Sequence, residues 1–445
     1  MTDFIHALLA AARKAGIEAA EVYTVANDSF RAMCQQGDIN NYTVNSTRGL
    51  SLRGLMNGKM GYASTQAFDE DAIRMLVTGV KESASLIDDD AVQQIYPGDG
   101  EYPVVDDYNP ALDEVSEDAK LRFVLEAEKA AKAMDPRIVS ATYDMVSTES
   151  GTVRIVNSYG LDLSARDNMA VAFFNVLAKD GDRVATGGEL IVTRDFSELN
   201  AEKIARKAVD KALYALTAEP VPSGTYRCIF DAYAMSDMLG VFSDIFSAEE
   251  AQDGTSLLAG KEGETIASPV VTLVDDPLLP GGLDSRGFDD EGVRACTKAV
   301  VENGVLKTLL HSLKTAAKAG VKSTGNGRKA GYDAPIHVAP SNFFFRPGEK
   351  DLQRLMADMG DGLVITEVSG LHAGANSASG DFSLIAEGYT VKNGVKDQAV
   401  ERITVAGNFY QMLKNVRAVG SDLVFPGSGV GSPSVDVGEV SIAGR

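Results

Sequence analysis

The chain holds no tryptophan, three cysteines and four histidines in 445 residues, and each scarcity excludes something. Cys34, Cys228 and Cys296 are odd in number and far apart, which suits buried thiols in a reducing cytoplasm rather than a disulfide framework. His6, His311, His337 and His372 are scattered, no two of them four apart and none followed by glutamate, so the zinc-protease helix pattern is missing. Positive charge is short as well: 42 Lys and Arg face 63 Asp and Glu, a net charge of −21 without a basic run. That balance speaks against nucleic acid as a partner. No stretch reaches the ~18 apolar residues a membrane helix needs, and "MTDFIHALLAAARKAG" reads as an amphipathic helix rather than a signal peptide. A cytoplasmic protein without membrane or nucleic-acid contact is the expectation.

The length exceeds what one hydrophobic core usually serves, so two domains are expected. In residues 1–222, a helix, hairpin-rich strands and a second helix occur in that order twice, over about 1–90 and 115–217. This predicts an α+β amino-terminal domain with an antiparallel sheet and an internal duplication. The acidic, proline- and glycine-rich run 88–114 should cross the surface between the two units. A boundary follows at "AEPVPSGTY", and 223–445 should form a mostly antiparallel β domain, with helices near 232–247, 312–320 and 349–359. Asn-Gly at 57–58, 303–304 and 393–394 tolerates the two positive-φ positions of a type I′ turn, which marks hairpins.

Familiar catalytic patterns are few. There is no G-x-S-x-G elbow, and "GLMNGKM" lacks a phosphate loop's glycine spacing, leaving Lys59 as a hairpin residue. "GNGRKAG" reads as a flexible surface loop, and "LDSRGFDDEGV" as a solvated turn ahead of a hairpin rather than a cation site. The segment "GLHAGANSASGDFSLIAEGY" sets His372 beside Ser377, Ser379 and Asp381, which nucleophilic catalysis could use. Small polar residues between glycines are also what tight turns use to bond their own backbone. A structural turn is the leading reading, contact with a ligand or peptide the second, and catalysis the last.

"GLHAGANSASGDFSLIAEGYTVKNG" resembles the signature of the TldD/PmbA family, on its PmbA (TldE) side. "GGLDSRGFDDEGVRACTKAVVENGVLKTLLHSLKTAAKAGVKSTGNGRK", "ITVAGNFYQMLKNVRAVGSDL" and "SYGLDLSARDN" are similar to further blocks, in order along nearly the whole chain. The resemblance implies a cytoplasmic metalloprotease of two subunit types, with an older label of modulator of DNA gyrase that requires no DNA contact. The TldD type carries zinc on His-Glu-x-x-x-His plus a cysteine near the carboxyl end; the PmbA type supports its partner in cleaving unfolded peptides. Here the corresponding segment, "AYAMSDMLGVFSDIFSAEEAQDGTSLLAG", has neither histidine nor cysteine, and no cysteine follows Cys296. Asp237, Asp244, Glu249 and Glu250 are hard oxygen donors that suit zinc poorly and read as a solvated helix face. The expectation is a chain with no catalytic residue and no metal, whose partner is a zinc-bearing TldD-type subunit; a stand-alone homodimeric peptide- or ligand-binding protein is the alternative. Gly370, His372, Gly374, Asn376, Ser379, Gly380, Asp381 and Phe382 are then expected to shape a peptide- or subunit-facing surface.

Overall fold

The computed structural model describes residues 2–87, 93–141 and 144–445. The amino-terminal half opens with helix α1 (Thr2–Lys14), which buries Ile5, Leu8 and Ala12 at helical spacing. Three antiparallel strands follow: β1 (Ala19–Gln35), β2 (Asp38–Met56) and β3 (Lys59–Thr65), closed by α2 (Glu70–Leu86). The order then recurs with α3 (Glu117–Met134), strands β4 (Asp144–Asn157), β5 (Asp162–Asp180) and β6 (Arg183–Thr193), and α4 (Ala201–Ala215). Asp69, Ser116 and Asn200 cap the three later helices by accepting backbone N–H bonds that a first turn leaves open. Both runs share one seven-stranded sheet, ordered β3-β2-β1-β4-β5 with β6 and the short strand Ile138–Ala141 both on β5. In each run a glycine of the last strand meets the closing helix. A Cβ on Gly61 would fall 1.9 Å from the Val80 carbonyl oxygen, and one on Gly187 2.2 Å from that of Ala208.

In the carboxyl half, five long strands make a second sheet: β7 (Gly224–Phe230), β8 (Gly362–Ser369), β9 (Asp381–Lys392), β10 (Val395–Asn408) and β11 (Val435–Ala443). The order β10-β9-β8-β7-β11 closes through a further β10–β11 pairing, and all contacts are antiparallel except β7 with β8. The enclosed core takes Phe230, Ile365, Leu384, Val405 and Val437 from the strands and Met235, Met238 and Phe242 from helix α5 (Ala232–Phe242). A smaller five-stranded sheet that includes Leu273–Asp275, Lys298–Glu302 and Phe343–Phe345 packs beside it. The protein is a mixed α/β structure with mostly antiparallel sheets, as the sequence predicts.

All three Asn-Gly pairs take left-handed backbone, with φ of 50° and 76° at 57–58, 50° and 81° at 303–304, and 51° and 78° at 393–394. The helix expected near 232–247 ends at Phe242 and continues as a 3₁₀ turn over Ser243–Phe246. β1 and β2 are far longer than their apolar stretches suggest, and they turn at Gln36-Gly37. Part of the run 88–114 lies outside the described residues. The remainder buries Ile95 and bonds the Tyr102 hydroxyl to the Gly292 carbonyl, so it straps the two halves together instead of only crossing the surface.

Candidate functional site

The segment 370–382 caps one end of the closed sheet, and its polar groups serve its own backbone. Gly370, at φ 81°, starts the single turn Leu371–Gly374, which carries the exposed His372. The Asn376 side-chain oxygen accepts from the Ser379 N–H at 3.1 Å, and the Ser379 hydroxyl oxygen accepts from the Asp381 N–H at 3.2 Å. The Asn408 amide donates to Asp381 at 2.9 Å and to the Ser379 carbonyl at 2.8 Å. Bonds from Asn408 and Ser379 hold the Asp381 carboxyl below its usual range. Asp381 is therefore engaged by Asn408, and the Ser379 hydroxyl by its own turn; no serine–histidine–aspartate relay is assembled within this segment. Gly374 and Gly380 are fixed by packing, because a Cβ would fall 2.3 Å from the Ser383 carbonyl oxygen and 2.4 Å from the Tyr410 ring. Phe382 turns into the core edge-to-face with Phe242 of α5, at 6.3 Å between centroids. Of the eight residues, His372, Asn376 and Asp381 present exposed side chains, while Tyr410 packs on Gly380 and its hydroxyl accepts from the N–H of the exposed Leu257.

Helix α5 is the second element to weigh. Asp231 caps it by accepting from the Tyr233 and Ala234 N–H groups, and burial pushes that carboxyl up to about 7. Seven of its eleven residues are buried, leaving Tyr233 and Asp237 at the surface. Asp237 is exposed, yet desolvation, then the charge of Glu367, raises its carboxyl to about 6. Asp244 is exposed on the following turn, Glu249 accepts from the Val338 N–H and Glu250 bonds Thr255. Glu249 and Glu250 are thus held by different partners. Among the described residues no three His, Cys, Asp or Glu side chains gather as a metal would require. His6 lies in α1, His311 is buried ahead of the helix Leu313–Ala319, and His337 lies in the strand Ile336–Val338. The donor set does not fit zinc.

Two expectations are overturned at 284–293 and 325–331, which are neither a solvated turn nor a free surface loop. Asp289, Asp290 and Glu291 are 2%, 4% and 3% exposed, and Asn326 is fully enclosed. Asp289 accepts three backbone N–H bonds, from Glu291, Val293 and Gly327, each at 2.9 Å. Burial and the neighbouring Glu291 charge raise its carboxyl to about 7. Asp290 accepts from the Tyr23 hydroxyl at 2.9 Å and from Arg286 at 2.7 Å. Burial works against its charge, but Arg286 and Arg328 hold it below the usual carboxylate range. Glu291 receives Arg53 at 3.1 Å and the Leu313 N–H at 2.7 Å, while Arg53 also reaches Glu21 at 2.7 Å. Lys329 donates to the Ser51 hydroxyl at 2.8 Å and lies over the Tyr23 ring; burial, then the Arg53 charge, lowers it to about 8. Charges more than two hundred residues apart thus neutralise one another across the seam between β1–β2 and the carboxyl half. Sequence reading misses this because each partner alone looks like a surface charge. Alongside lies a hollow of about 730 Å³ between residues 102–108, β5 and residues 283–288, lined by Asp107, Asp162, Asp167, Arg166 and Arg286.

With that geometry in place, the known proteins can be compared. Three domain families match in succession: PmbA/TldA metallopeptidase domain 1 over 20–84, its central domain over 110–216 and its C-terminal domain over 223–444. A metalloprotease of Methanothermobacter thermautotrophicus is 31% identical over 91% of this chain and 88% of its own. The metalloprotease PmbA of Escherichia coli O157:H7 is 26% identical over 96% and 93%. The crystal structure of a proposed DNA gyrase modulator from Thermotoga maritima superposes with a TM-score of 0.91 at 34% identity, covering 99% of this chain and all of that one.

Proposed function

Since the chain belongs to the PmbA/TldD metallopeptidase family, on its PmbA (TldE) side, we propose that it is the zinc-free subunit of a two-component cytoplasmic peptidase acting on unfolded peptides. The observation that carries this reading is helix α5. It is capped, buried on one face and intact, yet it offers solvent one carboxylate and no nitrogen or sulfur ligand. Without such donors this helix has nothing to lower the pKa of a bound water, so turnover falls to a subunit bearing His-Glu-x-x-x-His and zinc. The role left to this chain is to complete the enclosure and hold substrate. The described residues contain no helix long and apolar enough to cross a membrane.

The test is to purify the chain alone and together with a zinc-bearing paralogue, then measure bound zinc and cleavage of casein-derived peptides. The expected result is no stoichiometric zinc and no cleavage from the chain alone, and chelator-sensitive cleavage from the pair. Zinc-dependent hydrolysis by the solitary chain would sink the reading.

A further inference from the structure

We infer that the hollow between β2, β3 and residues 329–335 is a binding site for a small carboxylate, carried by a free amino acid or by the carboxyl end of a short peptide. It encloses about 260 Å³, lined by Ser51, Tyr62 and Ser64 from the two strands and by Lys329, Tyr332 and Asp333 from the carboxyl half. That is just under the usual range for drug-sized ligands, so it suits one of amino-acid size. In a chain of net charge −21, the enclosed polar side chains of this hollow are donors, and its one carboxylate, Asp333, is exposed.

Lys329 gives one N–H to the Ser51 hydroxyl at 2.8 Å and one to the Tyr332 carbonyl at 3.2 Å, which leaves a third for a ligand. Ser51 accepts that bond and keeps its own hydroxyl hydrogen to donate. The Ser64 hydroxyl, directly across the ladder from Ser51, has no partner among the described residues. Arg53 is the next residue on the same face, two positions along β2 from Ser51 and directly opposite Tyr62. Its Nε and Nη1 go to Glu21 and Glu291, but Nη2 has no partner although the side chain is only 6% exposed. An enclosed donor without an acceptor is costly, and a ligand oxygen would supply the missing bond.

The surrounding charges select the ligand. Burial raises the Tyr62 phenol, so it stays a neutral donor. Burial and then the Arg53 charge lower Lys329, while Glu21, Asp290 and Asp333 favour its charged form, which holds below about 8. One negative charge therefore balances the ammonium that the chain itself leaves unpaired. A phosphate, with nearly two charges, would meet repulsion from those same three acids. Asp333 also favours a carboxylate with an ammonium beside it, since an exposed acid can take that second group without burying it. Charge-assisted bonds from an ammonium, with hydroxyls to complete the shell, are what a lone carboxylate requires on leaving water.

The test is calorimetric titration of the full chain with L-alanine, N-acetyl-L-alanine, L-alaninamide and inorganic phosphate. Both carboxylates should bind and alaninamide should not. Alanine binding more tightly than its N-acetyl form identifies a free amino acid as the source, and the reverse order a peptide's carboxyl end. Lys329→Met should weaken either by about tenfold or more through loss of a charged hydrogen bond, and Ser64→Ala by less. Lys322→Met, on exposed surface outside the hollow, should leave binding unchanged. Lys329→Met should fold, because it removes a charge whose enclosure is unfavourable. A lysine that serves only the fold would not move the next readout. Affinity for N-acetyl-L-alanine, which has no amine of its own, should fall about tenfold between neutral pH and about 9 as Lys329 loses its proton. Equal binding of alaninamide, phosphate binding more tightly than either carboxylate, no binding at all, or undiminished affinity in Lys329→Met would overturn the proposal. None of these readouts uses zinc or peptide cleavage, so the outcome is separate from that of the proposed function.

Discussion

Lys329 shows what a single buried charge does to the pH response. Its ammonium has a hydroxyl, a carbonyl and an aromatic face for company and forms no ion pair among the described residues, so enclosure lowers it to about 8 from an ordinary value of 10.5. The sign follows from linkage. Between those two values the unfolded chain holds the proton and the folded chain does not, so this group makes stability rise with pH across that window. Below about 8 its penalty is present in full. Lys329→Met should remove the rise: in urea melts from neutral pH upward, the unfolding free energy of the wild type should gain on that of the variant by about 1.4 kcal/mol per pH unit inside the window. Parallel curves would show that water or a neighbour keeps the ammonium charged. None of this is legible in "GNGRKAG", where nothing local says that the loop is enclosed. His372 is the opposite case: its exposure on a turn of small residues follows from local chemistry alone.

Among elements, the contact of α4 with β6 is the most exacting. At Gly187 an added Cβ would meet the backbone of the helix, 2.2 Å from the Ala208 carbonyl oxygen and 2.4 Å from the Ala212 nitrogen, so the helix itself would have to move. Gly187→Val should cost about 3 kcal/mol or more by overpacking, read in a thermal or urea melt. Gly188→Val, whose Cβ meets nothing closer than 3.5 Å, should cost far less. Equal losses would mean that strand flexibility, not the helix contact, sets the requirement. Turns and capped amphipathic helices were readable because their signals are local: Asn-Gly dictates its own backbone, and Ser116 or Asn200 its own first turn. The outer part of β2 was not, because a strand exposed on both faces has no alternation to read and "NNYTVNSTR" passes for a loop. Residues 370–380 were legible as turns of small polar residues, while the burial of Phe382, which opens β9, against Phe242 depends on a helix 140 positions earlier.

For the whole molecule, the seam around Arg53 decides whether the halves hold together. Arg53 is 5% exposed, lies between Glu21 and Glu291 and is kept charged by both despite its burial. Removing it leaves two enclosed carboxylates facing each other. Arg53→Met should therefore lower stability by about 3–5 kcal/mol, and adding Glu21→Gln and Glu291→Gln should recover much of that, as chemical denaturation would report. No recovery would show that packing by the arginine stem matters more than its charge. Length and composition lead to the expectation of two domains, but not to this junction, because its members come from sequence blocks 238 residues apart. The same seam constrains ancestry. A hybrid gene spliced between relatives near residue 222 inherits Arg53 from one parent and Glu291 from the other, so such crossovers survive only where both parents carry matching partners, and these distant positions should change together.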